Sequence, residues 1–210
     1  MKVIATNISM GTMITWNGKE EKTGIFKTPT AEPIFLGKTD VEKDTVVDRK
    51  YHGGLDKACY LFSAEEYEYW KKLYPNLDWD WGMFGENLTI AGLEESQIRI
   101  GDIYSLGGAL VQISQPREPC YKLGIRFNTQ NIIRQFIDRS HPGTYVRILE
   151  EGLVSQGDSM VLVEQSENSL TTQQFYDLLF AKEKSRELLR LAINNTALPL
   201  KKRESLEKYV

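Results

Sequence analysis

The chain has 210 residues, 41% of them hydrophobic and 10% aromatic, which is enough for one main domain with a small addition. Its net charge of −3 and the absence of a basic stripe exclude a typical nucleic-acid-binding surface. No apolar run approaches the roughly 20 residues that cross a bilayer, and polar residues follow the start too early for a signal peptide. Two cysteines make no disulfide framework. A cytoplasmic protein without nucleic-acid or membrane partners is expected.

Most of the first 165 residues form short runs that predict strands. Examples are "KVIATNISM", "TGIFKTP", "KACYLF" and "GTYVRILEEG", which are rich in β-branched or aromatic residues and bounded by turn signals. Long helices do not alternate with these strands, so the pattern favours an antiparallel or mixed β-barrel over a doubly wound sheet.

Two helices are predicted to interrupt the strands. The segment "SAEEYEYWKKLYP" has the spacing of a capping box, in which Ser63 caps the amide of Glu66. The segment "TQNIIRQFIDRS" carries Ile132, Ile133 and Phe136 at helical spacing. The predicted fold is therefore mainly β with a few inserted helices.

After about residue 166 the pattern changes to three short helices without a strand. Thr171 and Gln174 predict a second capping box. About 45 residues cannot bury a large core alone, so this segment should pack on the barrel or on another subunit. We predict a β-barrel domain over residues 1–165 and an all-α three-helix subdomain over residues 166–210. Its apolar face makes a homodimer credible.

Cys120 is the first residue with candidate chemistry. It lies in "QISQPREPCYKLG", after a strand and at the start of a helix-like stretch, with Arg117 and Lys122 nearby. Such surroundings favour a thiolate, although many free cysteines are only small buried hydrophobes. Cys59, in the strand "KACYLF", is expected to be structural. Arg117 and Lys122 could equally be solvated surface charges.

Two further stretches have residues suited to an anionic ligand. In "EKTGIFK", Lys22 and Thr23 offer a cation and a hydroxyl, although a solvated hairpin is the alternative. In "DRKYHGGLDK", Arg49 can bind a phosphate or carboxylate and His52 can donate a hydrogen bond or a proton. Gly53 would allow close approach to a ligand. A turn with a solvated arginine and a packed histidine is the alternative.

The remaining polar candidates are less specific. Asn87, in "WGMFGENLTI", could cap a turn or hold a polar ligand edge. His141 precedes Pro142 and Gly143, which favours a turn. The distant cysteines do not suit a zinc site or an iron–sulfur cluster. A Cys–His hydrolase using Cys120 with His52 or His141 stays open, without a nucleophile signature to support it.

In combination, these stretches resemble the MOSC domain, named for the C-terminal domain of molybdenum cofactor sulfurases. The motifs "KTGIFK", "DRKYHGGLDKACYLF", "GMFGENLTI", "IRIGDIY", "ALVQISQPREPCYKL" and "GTYVRILEEG" occur in the family's order. The helical tail resembles the three-helix extension of the bacterial stand-alone branch. The resemblance implies a MOSC β-barrel that binds the molybdenum cofactor.

The resemblance also implies roles for particular residues. Cys120 would be the metal ligand, and a soft thiolate suits that role. The residues that would contact the cofactor are Lys22, Thr23, Arg49, His52, Gly53 and Asn87. His52 or Arg49 could steady the leaving oxygen, so Cys120 and His52 are the catalytic candidates.

Similar bacterial proteins are linked to the reduction of N-hydroxylated compounds such as hydroxylaminopurines, which implies an oxidoreductase. Its electrons would come from a separate donor of the flavodoxin or flavin reductase type. A carrier that holds the cofactor, or sulfur on Cys120, is the alternative. The absence of a pyridoxal-phosphate domain argues against a full cofactor sulfurase.

Overall fold

The computed structural model describes residues 1–49, 52–167 and 169–210 and has a mainly β architecture with six α-helices in these ranges. The strands are β1 (Lys2–Ile8), β2 (Thr12–Trp16), β3 (Lys19–Thr23), β4 (Thr28–Thr30), β5 (Ile34–Leu36), β6 (Cys59–Ser63), β7 (Leu88–Ala91), β8 (Ile103–Leu106), β9 (Ala109–Pro116), β10 (Thr144–Glu150), β11 (Gly152–Val154) and β12 (Met160–Glu164). The helices are α1 (Glu66–Leu73), α2 (Tyr121–Arg126), α3 (Asn131–Arg139), α4 (Thr172–Phe180), α5 (Arg186–Asn194) and α6 (Leu200–Glu207).

The main sheet has eight strands in the order β12-β8-β9-β10-β6-β7-β1-β4. Its neighbours pair antiparallel except β6 and β7, which are parallel. Strands β5 and β11 form one small sheet, and β2 and β3 form another. The predicted mainly β fold with inserted helices is thus confirmed, with most strand pairs antiparallel.

The predicted closed barrel is wrong, because the main sheet is open and ends at β12 and β4. In the described ranges, β1 meets the segment before β12 through one isolated bridge, between Lys2 and Ser159, and a few backbone hydrogen bonds beside it, rather than through a continuous ladder. At the other edge, β4 is three residues long and contains Pro29. A short strand with a proline, which lacks an amide donor, cannot extend the pairing around the sheet.

Hydrophobic clusters cover both faces of β6. Cys59 and Leu61 belong to one cluster, whereas Tyr60 and Phe62 belong to a second, largely aromatic one. Successive strand residues point to opposite faces, so the two clusters lie on opposite sides of the sheet. The aromatic cluster also contains residues of α1, α2 and α3, which places these helices on its side.

The C-terminal segment forms the three predicted helices, and they pack on the sheet. Leu178, Leu189 and Leu206 lie in the same buried cluster as residues of β8, β9 and β10. The segment therefore shares its core with the β-rich part, and the division at residue 166 into two domains stays a prediction. Among the described residues, no helix has the length and apolar character needed to cross a membrane.

One of the two predicted capping boxes is present. At α4, the Gln174 amide donates to Thr171 Oγ1 at 3.1 Å, and the Thr171 amide donates to Gln174 Oε1 at 2.9 Å. The prediction for Ser63 is wrong, because α1 begins after Glu65 without a side-chain cap. Ser63 instead donates its hydroxyl to Glu65 at 2.9 Å.

Candidate functional site

A cavity of about 660 Å³, including its open mouth, brings together most of the residues predicted to be functional. Five of the predicted residues are in its lining: Thr23, His52, Gly53, Asn87 and Cys120. They come from distant parts of the chain, so the fold assembles them.

Cys120 lies where the longest strand of the main sheet ends and a helix begins. Strand β9 ends at Pro116, and Cys120 is the N-cap residue of α2, with an extended backbone. Its carbonyl accepts a hydrogen bond from the Leu123 amide at 2.9 Å. The thiol is not in a disulfide and is half-buried at the cavity wall. A thiol in this place is accessible to a ligand in the cavity.

His52 faces the cavity as a neutral imidazole at pH 7. Burial, and then the positive charges of Arg117, Lys57 and Lys122, lower its pKa to about 4. Its Nδ1 lies 3.5 Å from the hydroxyl of Tyr145. A neutral imidazole keeps one N–H donor and one acceptor, so His52 can take part in hydrogen bonding without adding charge.

Gly53 follows His52 with a φ of +71°, a conformation that L side chains rarely adopt. A Cβ placed there would lie 3.1 Å from Val46. Glycine therefore allows the chain to turn closely along this wall.

Lys22 and Arg49 lie outside the cavity lining. Lys22 is exposed on β3, opposite Met13 of β2, whereas the next residue, Thr23, is buried in the lining. Arg49 is more than half exposed and forms an ion pair with Asp40 at 2.5 Å. Their roles in cofactor binding stay predictions, without support from this arrangement.

Asn87 lines the cavity, but its side chain already has protein partners. Its Oδ1 accepts from the Tyr60 amide at 3.2 Å, and its Nδ2 donates to Asp44 at 2.9 Å and to the Asn7 carbonyl at 3.4 Å. Asp44 also accepts from Lys27. These bonds make Asn87 a residue that positions the wall.

Sequence reasoning did not assign several charged residues of the lining to the site. Four basic side chains are in it: Lys27, Lys57, Arg117 and Lys122. Two acidic residues accompany them, Asp44 and Asp48, and Lys27 is paired with Asp44. Burial, followed by the charge of Lys202, lowers the pKa of Lys57. The excess of positive charge suits an anionic ligand.

Some of these residues were adjacent to recognised motifs. Lys27 ends the motif "KTGIFK", and Lys57 follows His52 and the two glycines in "HGGLDK". Arg117 and Lys122 were left open as surface charges, but only 4% and 7% of their respective surfaces are exposed. The motifs therefore indicated the correct stretches of the chain. The alternation of side chains along a strand, together with burial, decides which residues of each motif face the cavity.

Arg117 is a fully charged side chain in an aromatic environment. Its guanidinium lies 5.2 Å from the centre of the Tyr60 ring and 5.6 Å from that of Phe136. Its Nη1 is buried and has no hydrogen-bond partner. Because Arg117 lines the cavity, this donor is available to a ligand group there.

His141 and Cys59 lie outside the cavity lining. His141 Nδ1 is 3.0 Å from Glu95, a hydrogen bond that raises the histidine pKa. The Gly143 amide donates to the same carboxylate at 2.8 Å, so His141 belongs to a hydrogen-bonded turn. Cys59 is 1% exposed in the core, where burial raises the pKa of its thiol. Among the described residues, no group of three or more His, Cys, Asp or Glu side chains is placed to hold a metal ion.

Comparison with known proteins places this site in a family. The MOSC domain model matches residues 48–161, which include His52, Asn87 and Cys120. The chain is 36% identical over 171 residues to "Uncharacterized protein YflK" of Bacillus subtilis, an alignment covering 81% of this chain and 77% of that protein. It is 31% identical over 168 residues to a protein named "Reductase" of Gibberella moniliformis, covering 79% of this chain but 29% of that protein.

The crystal structure of YiiM from Geobacillus stearothermophilus has the same fold. It superposes with a TM-score of 0.82 and 30% identity, covering 99% of this chain and 98% of that one. The superposition covers nearly the whole of this chain, so it includes the C-terminal helices. The sequence motifs, the fold and these relatives together show that the chain belongs to the MOSC domain family.

Proposed function

We propose that this protein is a molybdenum-cofactor-dependent oxidoreductase that reduces N-hydroxylated compounds, such as hydroxylaminopurines, to amines. The observation that carries the proposal is the thiol of Cys120 at the wall of a cationic cavity. Membership of the MOSC family is consistent with binding of the molybdenum cofactor. The relative named "Reductase" is consistent with redox chemistry.

The residues of the cavity fit the molybdenum cofactor. This cofactor is a pyranopterin with a dithiolene and a phosphate, so it is anionic. The cavity offers a soft thiol at Cys120 and four basic side chains, and the buried Nη1 of Arg117 is still without a partner. Thiolates are suitable ligands for soft metal centres, and guanidinium groups bind oxyanions through charge-assisted hydrogen bonds. In this proposal Cys120 holds the metal and the basic residues hold the anionic groups.

The overall reaction consumes R–NHOH, two electrons and two protons and releases R–NH2 and water. The bound cofactor supplies the two-electron chemistry, and the chain supplies binding, orientation and proton donors. The neutral imidazole of His52 can donate a hydrogen bond to the hydroxyl that leaves, with its Nδ1 near Tyr145. Lys57 also lines the cavity and would be the source of a proton, because burial lowers its pKa and so makes its ammonium a stronger acid.

The electrons require a second protein in this proposal. A donor of the flavodoxin or flavin reductase type would supply them, as expected for the family. The predicted homodimer is a separate proposal, which sedimentation of the purified protein would test.

A carrier that holds the cofactor, or sulfur on Cys120, without turnover is the second candidate. The half-buried thiol of Cys120 supports this candidate too, since a carrier and an enzyme need the same geometry to hold the cofactor. The two candidates differ in catalysis. Protein loaded with molybdenum and supplied with reduced viologen should convert 6-hydroxylaminopurine to adenine if it is a reductase. The absence of adenine under those conditions would favour the carrier.

The first test is the molybdenum content of the wild type, C120S and C59A, all produced in cells that make the cofactor. Wild type and C59A should contain molybdenum, because Cys59 lies outside the cavity lining. C120S should contain little molybdenum and should lose the reductase activity. Equal molybdenum in C120S and the wild type would refute the proposed role of the thiol.

A further inference from the structure

We infer that the hairpin of β2 and β3 is a lid over the cavity, held closed by contacts with Tyr121, the residue that follows Cys120. The hairpin spans residues 12–23, and its last residue, Thr23, lines the cavity. The inference goes beyond the proposed function, because it concerns access to the thiol and applies to any ligand of the cavity.

The hairpin shares little apolar surface with the rest of the protein. Its strands pair with each other, from Thr12 opposite Thr23 to Trp16 opposite Lys19. Within the described ranges, neither strand pairs with the main sheet. Of the described residues 12–23, none belongs to either hydrophobic cluster. Segments with few buried apolar contacts open at a low cost in free energy, so this hairpin can move while the main sheet stays folded.

Two contacts near the turn of the hairpin join it to the wall that carries Cys120. The ring of Trp16, at the end of β2, stacks on the ring of Tyr121, with 5.1 Å between the centroids and 25° between the planes. The hydroxyl of Tyr121 donates to Oε1 of Glu21, on β3, at 2.6 Å. Trp16 and Glu21 are half-buried, although most of the hairpin is exposed. These three residues form the latch of the proposed lid.

The latch connects two distant parts of the chain that both line the cavity. Glu21 is two residues before Thr23, and Tyr121 directly follows Cys120. Thr23 and Cys120 are both in the lining, so the latch lies beside the thiol and ties one wall to the other. An open latch would therefore let the hairpin move away from Cys120 and widen the mouth of the cavity.

Glycines on both sides of the hairpin suit a hinge. Gly11 precedes β2 with a φ of +84°, a conformation that other residues rarely adopt, and Gly24 follows β3. A Cβ on Gly24 would lie 1.9 Å from the carbonyl oxygen of Thr45, which is also in the lining. Hinges commonly lie at the ends of elements, where a few residues absorb the change in φ and ψ. The base of the hairpin thus stays packed on the cavity wall, and its turn is the part that moves.

The alternative is a static hairpin whose contacts with Tyr121 only add stability. The two interpretations differ in what can reach the thiol of Cys120. If the hairpin is a lid, breaking the latch should admit large reagents to the thiol. If the hairpin is static, breaking the latch should lower the stability of the protein and leave access to the thiol unchanged.

The experiment measures the rates at which iodoacetamide and the bulkier fluorescein maleimide alkylate Cys120 in the full chain, produced in cells that lack the molybdenum cofactor. Every protein carries C59A, so Cys120 is its one cysteine. The ratio of the two rates reports steric access, because a change in the pKa of the thiol alters both rates in the same direction. W16L, which loses the stacking, should raise the maleimide rate relative to the iodoacetamide rate roughly threefold to tenfold. Y121F, which keeps the ring and loses the bond to Glu21, should raise it by a similar factor.

Tyr74 provides the matched control. Its hydroxyl also donates to a side chain, that of Gln135, and its ring packs 5.4 Å from that of Phe127, but it is outside the cavity lining. Y74F should therefore show the rate ratio of the wild type. An unchanged ratio in W16L and Y121F would overturn the inference, and so would an equal rise in Y74F. If W16L does not fold, Y121F decides, since it removes a single oxygen atom.

Amide hydrogen exchange of the same proteins gives a second measurement. The amides of residues 12–23 should exchange faster in W16L and Y121F, while those of β9 and β10 keep their protection. Equally faster exchange in β9 and β10 would overturn the inference, because it would show general loosening. Neither measurement involves molybdenum, so the lid and the proposed function can fail separately. Equal molybdenum in C120S and the wild type would refute the metal ligand alone, whereas an unchanged rate ratio in W16L and Y121F would refute the lid alone.

Discussion

Replacing Asp44 by Asn should destabilise the protein strongly, because it leaves a buried ammonium without its counter-ion. The side chains of Lys27 and Asp44 form an ion pair in which 7% and 2% of their respective surfaces are exposed. Asp44 also accepts from the amides of Ser9 at 2.8 Å and Asn87 at 2.9 Å. Breaking a buried pair by removing one partner costs about 3–5 kcal/mol. D44N keeps the size of the side chain, so this cost is mainly electrostatic.

The assay is urea unfolding at about pH 7, with the free energy of unfolding extrapolated to water. The double variant K27M/D44N should recover most of the loss, since it no longer buries an unpaired charge. D138N is the matched control, because the Arg134–Asp138 pair is 80% and 55% exposed and should contribute less than about 0.5 kcal/mol. A loss below about 1 kcal/mol in D44N would refute the reasoning, as would a double variant less stable than D44N.

Two further predictions concern acid stability and a glycine. The pKa of His52 is about 4, against 6.5 for an ordinary histidine, so as the pH falls the unfolded chain binds a proton before the folded protein does. The free energy of unfolding should therefore fall by up to about 3 kcal/mol between about pH 7 and about pH 4. In H52Q the free energy of unfolding, measured with urea, should lack that part of its pH dependence. An unchanged pH dependence would contradict a buried neutral imidazole. Gly143→Ala should cost more than about 2 kcal/mol, because φ is +65° and its Cβ would lie 2.2 Å from the Leu61 carbonyl oxygen. Gly157→Ala, at φ +92° in open space, should cost about 1 kcal/mol, and equal losses would contradict the steric argument.

The sequence was sufficient for most secondary structure because local patterns determine it. Short β-branched runs predicted the strands, and the capping pair Thr171 and Gln174 predicted the start of α4. Closure of the sheet depends instead on the register between strands far apart in the chain. The pairing of β1 with the segment before β12 is limited to one isolated bridge and a few backbone hydrogen bonds, and no local pattern predicts such long-range pairing.

Prediction of the site succeeded for residue types but failed for side-chain direction. Lys22 and Thr23 are neighbours on β3, and successive strand residues point to opposite faces, so only one of them can line the cavity. Thr23 is that residue. Arg117 was left open as a surface charge because charged residues are rarely buried without a partner. Its burial follows from the tertiary packing of Tyr60 and Phe136 around it.

The bonds of Asn87 divide the cavity residues into those that build the wall and those that can bind. An amide whose oxygen and nitrogen already bond Tyr60, Asp44 and Asn7 would have to break such a bond in order to hold a ligand. Cys120 and Nη1 of Arg117 need break no such bond, since the thiol is free and the nitrogen has no partner. Hydrogen bonds within the protein thus fix the wall, whereas the groups proposed to bind the ligand need break none. Such a site is preorganised. Substitution of Asn87 should therefore act on affinity through the position of the wall, whereas substitution of Arg117 should act on the ligand directly.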